Sequence, residues 1–326
     1  MLFEIILFLM ISCINTSVSS GQSYYTLSDV FSIAYCLFSR TDMYLGSGGV
    51  LYCVSSDKKA FIYGCSFNNC TSSLYGGAIY FEVTTNGSFE VDKVCAYLCG
   101  ATQMSNFGSI KTSHDGNNTV KLLSMSKCYN VAGSATNSLT LYYGKSSFVN
   151  TNSSHNSAYQ IPGIGIESPR NMQASYNTLK SNYASYSRCI YISNGIAGDG
   201  TQKIFSKTNI VDNNSPSTLG VIYNGIGTLY FKECIFFSNQ NTLFSTYNTQ
   251  STLYVSDSYI SHIGVMITGN VNTVSANSYL ITPTFQLDHF EYGNCLADIP
   301  IVLPFASTIH ERMAIQKWTI TFMLIV

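Results

Sequence analysis

The residues with most scope for chemistry in this chain are its carboxylates. Glycoside hydrolysis needs two carboxyl groups facing one bond, one to protonate the leaving oxygen and one to act as base or nucleophile. A polysaccharide lyase needs calcium-binding acids with an Arg or Lys base. Beyond Asp115 the acids stand singly, at Glu167, Asp199, Asp212, Glu233, Asp257, Asp288, Glu291 and Asp298, and no Asp-Asp pair occurs. Asp212, Glu233 and Asp257 fall on consecutive repeats and form the one acidic cluster with a chance of convergence, provided they share an outward column. His114-Asp115 and Asp288-His289 have the types of a catalytic pair, but neighbours along a strand point to opposite faces, so both read as loop or surface residues. No Gly-x-Ser-x-Gly nucleophile turn is present. The expectation is a chain without catalytic residues and without a cofactor.

Cysteine is the other reactive type, with eleven in the chain. There is no Cys-x-x-Cys pair and no His lies near them in sequence. Cys95 and Cys99, four residues apart, are the one weak hint of zinc, so no metal site is expected. The spacing is more informative. Cys36, Cys65 and Cys95 are 29 and 30 residues apart, and Cys70, Cys99 and Cys128 are 29 and 29 apart. Residues at one such period stack on successive turns of a repeat, within disulfide reach. Bridges Cys65 to Cys95 and Cys70 to Cys99 are the candidates, with a ladder of buried thiols as the alternative.

The elements that would place these columns are visible as repeats. Gly48-Gly49-Val50-Leu51-Tyr52 returns as Gly76-Gly77-Ala78-Ile79-Tyr80, then as Phe107-Gly108-Ser109-Ile110 and Gly220-Val221-Ile222-Tyr223, with first steps of 28 and 31 residues. A second element, Phe61-Ile62-Tyr63-Gly64-Cys65, returns as Phe89 to Lys93, Val120 to Ser124, Leu229 to Glu233 and Leu253 to Asp257. Between about 130 and 200 the register weakens. Short strand-like runs divided by Gly, Asn and Ser describe a solenoid with several strands per turn. The expected fold class is all-β, a right-handed parallel β-helix of about nine coils and roughly 40 Å, stacked at the inter-strand spacing. The Gly-Gly steps read as corners permitting positive φ, not as phosphate cradles.

Composition agrees. Charged residues are 10% of the chain, against about 25% in ordinary domains. The 24 Tyr and 19 Phe suit pleated surfaces. Sixteen basic residues balance seventeen acids with no basic stripe, so nucleic acid is not an expected partner.

Leu2 to Ile14 is nearly unbroken apolar sequence followed by small residues, and residues 1–20 read as a cleaved signal peptide forming a signal helix. The n-region lacks Lys and Arg and carries Glu4, which keeps a retained anchor or buried helix as the alternative. Residues 21–300 form the β-helix domain, and 301–326 a tail whose small residues, polar spacer and apolar end are ordered like a lipid-anchor signal. A buried or incomplete C-terminus is the other reading of that tail. Asn69, Asn86, Asn117, Asn152 and Asn213 each open an N-glycosylation acceptor sequence.

At Cys65-Ser66-Phe67-Asn68-Asn69-Cys70, followed by Gly76-Gly77-Ala78-Ile79-Tyr80, the chain resembles the repeats of polymorphic membrane protein-type β-helix proteins. These pair a Gly-Gly-Ala-Ile element with a Phe-x-x-Asn element, and similar repeats occur in surface families of parasitic protists. Phe236-Phe237-Ser238-Asn239 matches the second element, and Leu179-Lys180-Ser181-Asn182 and Ile210-Val211-Asp212-Asn213 match with an aliphatic first residue. The resemblance covers about 30–270 and does not extend to the bacterial family's C-terminal membrane barrel. It implies a secreted or cell-surface β-helix acting in adhesion. The partners it implies are host or neighbouring-cell surface proteins or glycans, with membrane contact only through a possible anchor. Since β-helices also host polysaccharide lyases and glycoside hydrolases, a pectate-lyase-like enzyme is the alternative, and fold alone does not choose.

Overall fold

Alternation along each strand builds the wall of a tube. In Ile79–Val83, Ile79 and Phe81 are fully buried while Tyr80 and Glu82 are half-exposed. In the computed structural model this strand lies parallel between Leu51–Ser55 and Gly108–Lys111. Leu51, Ile79 and Gly108 therefore share one inward line, and Cys53, Phe81 and Ile110 the next. Residues 9–12, 17–18, 30–43, 46–129, 136–193, 202–261, 267–274 and 295–296 are described. Nine strands stack on this face, from Leu51–Ser55 to Ile267–Thr268, giving a parallel β-solenoid of the right-handed type with about eight turns. No helix occurs among the described residues.

Each turn continues into a second face, bends, and passes through a short third face. The ten-residue strand Ser88–Tyr97 shows the bend, because its first half pairs with Lys59–Tyr63 and its second with Ser66–Asn68. Between them Lys93 has φ 56°. The same place is left-handed on every turn, at Tyr35, Gly64, Lys93, Leu122, Asn150, Tyr176, Lys207, Glu233 and Asp257. A second left-handed column, Arg40, Asn69, Leu98, Lys127, His155, Ser181, Asp212 and Ser238, turns the chain into the third face. That conformation costs an L residue about 1 to 2 kcal/mol, and it is held because each corner sits between two stacked strands. Gly64 is the glycine of the first column for a second reason: a Cβ there would meet the Tyr35 ring at 2.9 Å.

Immediately after the second corner comes a buried column of Cys70, Cys99, Cys128, Asn156, Asn182, Asn213 and Asn239. The asparagines form a hydrogen-bonded ladder. The backbone N–H and Nδ2 of Asn156 donate to Asn182 Oδ1 at 3.1 and 3.0 Å. Asn182 donates in the same way to Asn213 Oδ1 at 3.0 and 3.1 Å, and Asn213 to Asn239 Oδ1 at 3.0 and 3.1 Å. The other Nδ2 hydrogen of Asn182 goes to the Ser153 carbonyl at 2.9 Å. Each amide is thus saturated inside an otherwise apolar tube, as buried polar groups require. This explains the hydrophobe-x-x-Asn element: an inward apolar residue, an outward one, a left-handed corner and a ladder rung.

Some expectations change in detail. The step from the second to the third repeat is 29, not 31, because Ile79 stacks on Gly108 and Ile110 lies beside Phe81. Phe89 stacks on Ala60, not Phe61. A slip of two keeps a residue on its face, whereas a slip of one reverses it, so Phe89 points inward and Phe61 does not. Within the segment read as a signal helix, Leu9–Ser12 and Ser17–Val18 are strands laid parallel on Val30–Ala34 and Leu37–Ser39. The open end of a solenoid offers unpaired backbone groups to any extended apolar segment. The tail at 301–326 lies outside the described residues.

Replacing Asn182 by Ala removes two rungs and leaves buried donors and an acceptor without partners. The expected loss is about 3 kcal/mol, read as a shift in the urea midpoint, while Asn86→Ala at an exposed turn leaves the midpoint unchanged.

Candidate functional site

Outward positions of the nine-stranded face alternate between two columns. One runs Tyr52, Tyr80, Ser109, Thr140, Gly165, Tyr191, Tyr223, and the other Val54, Glu82, Lys111, Tyr142, Glu167, Ser193. Where small Ser109 follows Tyr80, a cleft of about 320 Å³ opens, walled by Tyr75, Tyr80, Met104, Tyr142 and Tyr143 with Glu82 and Lys111 on its charged side. Tyr80 stacks on Tyr52 and Tyr75, with centroids 5.5 and 5.9 Å away. Its hydroxyl donates to Glu82 Oε2 at 2.6 Å, and Lys111 Nζ donates to Oε1 at 2.6 Å. Lys111, and after it Tyr80, hold the Glu82 carboxyl below its ordinary pKa. The Tyr142 hydroxyl donates to Met104 Sδ at 3.0 Å. Burial pushes the Tyr80 and Tyr142 phenols upward, keeping both neutral.

Such a cleft offers flat rings, neutral phenols and a closed ion pair. Acid catalysis would need a carboxyl group that keeps its proton, and Glu82 is ionised and engaged. The next carboxylate of its column, Glu167, stands three turns on, ~14 Å at the strand spacing. That exceeds the roughly 6.5 to 9.5 Å of an inverting pair. Glu167 itself is pushed up by burial, opposed by Arg188.

The acidic residues singled out by the repeats are corner residues. Glu233 and Asp257 are successive members of the first left-handed column, and Asp212 belongs to the second. Five residues separate the corners Lys207 and Asp212, so the two columns stand ~16 Å apart and Asp212 does not join the others. Glu233 lies 3.9 Å from Lys207 and 4.0 Å from Lys232, surface pairs of little energetic weight. Asp115, beside His114 on an exposed turn, pairs with Arg170. Asp199, Asp288, His289, Glu291 and Asp298 lie outside the described residues.

The cysteines divide. Cys70 and Cys99 stack as expected, but as thiols, each directed to a carbonyl two residues before its lower neighbour, Phe38 at 3.8 Å and Phe67 at 3.5 Å. Burial pushes both thiols well up. The expected Cys65 to Cys95 bridge is replaced by Cys95 to Cys295, with Cα atoms 5.4 Å apart, and Cys65 is a buried thiol. The reason is register: Cys95 is opposite Ser66, one residue off the line of Cys36 and Cys65. No cluster of His, Cys, Asp or Glu among the described residues could hold a metal ion.

The five acceptor asparagines also separate. Asn69, Asn86 and Asn117 are exposed, whereas Asn152 is 4% exposed and Asn213 fully buried in the ladder. Sequence reasoning missed the cleft, although Tyr52 and Tyr80 at one repeat position were its visible signal. No family model, curated protein or solved structure matches the chain.

Expressed through a secretory pathway, the folded protein is expected to carry glycans at Asn69, Asn86 and Asn117 and none at Asn152 or Asn213, as peptide mapping would read. The two cleft-face carboxylates act oppositely on stability. Folded Glu167 holds its proton more tightly than its ordinary value of 4.5, so its contribution is complete below that pH and is lost as pH rises through the folded value. Glu82, held below 4.5, contributes above it and loses that contribution as pH falls. Urea midpoints across pH should show Glu167→Gln removing a decline on the alkaline side of 4.5, with Glu82→Gln removing one on the acid side.

Proposed function

We propose that this chain is a secreted or cell-surface right-handed β-helix of about nine coils that serves as a non-catalytic adhesion module. Its ligands are glycans on host or neighbouring cells. The observation that carries this reading is the cleft at Tyr75, Tyr80 and Tyr142 on a long, rigid face. Tyrosines supply broad contact with few rotors to immobilise, and each has an apolar ring for stacking with a polar tip. Because the surrounding strands are already stacked, little ordering accompanies ligand binding. The closed Glu82–Lys111 pair and the distance to Glu167 support recognition in preference to cleavage at this cleft. The likeness of the Gly-Gly-Ala-Ile and Phe-x-x-Asn elements to polymorphic membrane protein-type repeats points the same way.

On an immobilised glycan panel the purified solenoid is expected to retain a subset of glycans. Tyr80→Ala should weaken retention by about tenfold, the equivalent of one lost ring contact, with an unchanged circular dichroism spectrum. Appearance of new reducing ends or unsaturated sugars after incubation with the retained polysaccharide would establish the enzymatic alternative instead.

A further inference from the structure

Farther along the same face, Arg188 leads into the strand Ile190–Ser193 and its backbone N–H is tied to the Gln160 carbonyl at 3.0 Å. Its guanidinium carbon lies 3.9 Å from the centre of the Tyr191 ring and 4.8 Å from that of Tyr223. These rings come from adjacent turns and are 5.8 Å apart. A cation held on two ring faces has its plane set, and its N–H donors project from the edge of that plane. Those donors are uncommitted. Among the described residues no carboxylate stands within 4.0 Å of Arg188, and its buried Nε has no hydrogen-bond partner. A buried donor without a partner is costly, and a bidentate anion removes that penalty.

We propose that Arg188, on its Tyr191 and Tyr223 platform, is the subsite for a carboxylate group of an acidic glycan. The planar fork matches a planar carboxylate through two parallel hydrogen bonds. The sugar character follows from what the face leaves available. Its backbone groups are committed to the parallel stack on both sides, so an extended peptide has no strand edge to pair with. Ring faces and polar tips remain, which suit pyranose rings and hydroxyls. Tyr80 and Tyr191 occupy one outward column, with Ser109, Thr140 and Gly165 between them. Four turns separate them, ~19 Å along the axis, a span for a linear oligosaccharide and not for a single sugar. This inference rests on the glycan reading of the face and adds the charge of its ligand.

The test uses the full-length protein and uronate oligosaccharides prepared from polygalacturonate, alginate and hyaluronan, each beside its carboxyl-reduced counterpart. Wild type should bind at least one acidic form about tenfold more tightly than the reduced form, with the difference shrinking as salt rises. Arg188→Gln should abolish that difference while leaving affinity for the reduced form in place, and Arg188→Lys should restore part of it. Tyr80→Ala should weaken both forms together. Equal binding of both forms by wild type, or discrimination retained in Arg188→Gln, overturns the role of Arg188 and leaves the glycan reading standing. Binding of neither form by wild type, with other glycans retained, also overturns it. Retention of no glycan at all removes the reading beneath it. Should Arg188→Gln fail to fold, the ratio of the two forms on wild type and on Arg188→Lys decides.

Discussion

Each turn of this protein must offer its backbone donors and acceptors to the next in register, because no turn can bury its apolar side chains alone. Parallel pairing between successive turns is therefore the constraint on which the other features depend. It explains why the left-handed corners recur at one place per turn despite their intrinsic cost, and why residues as different as Tyr35, Lys93, Leu122 and Glu233 occupy equivalent corners. Their side chains point out of the tube and are free to vary. What is conserved along the stack is a backbone conformation.

Inside the tube the same pairing converts side chains into continuous columns. The column after the second corner begins as Cys70, Cys99 and Cys128 and continues as asparagine from Asn156 to Asn239. At the junction the backbone N–H of Cys128 donates to Asn156 Oδ1 at 2.9 Å. Both types are small enough for a tight corner, and both can direct hydrogen to a carbonyl of the turn before. Asparagine bonds its neighbour as well, so it holds register. Buried thiols, whose ionisation is opposed by desolvation, act there as compact apolar residues.

On the outside, stacking decides which residues can cooperate. Glu82, Lys111 and Tyr142 are about 30 residues apart in sequence yet neighbours in one column, while Asp212 and Glu233, closer in sequence, occupy different corners. The cleft arises because a small residue, Ser109, follows a large one, Tyr80, at the same outward position. The Arg188 platform arises because two tyrosines meet in that column on adjacent turns. Both depend on which side chains succeed one another along the axis, a property that no single repeat contains.

Read alone, the sequence already determined the class of structure: Gly-Gly-Ala-Ile-Tyr recurring every 28 or so residues, with Asn at the end of Leu179-Lys180-Ser181-Asn182 and its relatives, describes a coil that repeats. It also determined which face of Ile79–Val83 is apolar, since alternation is a local property. Register was not local. Corner loops vary by a residue or two between turns, and matching by residue type aligned Phe89 with Phe61 when hydrogen bonding aligns it with Ala60. That one-residue difference separates Cys95 from the line of Cys65 and turns it toward Cys295, 200 residues away. Whether an asparagine is a glycan acceptor or a ladder rung, and whether a glutamate is paired or solitary, followed from the same register, because a strand's period of two makes every shift of one a change of side.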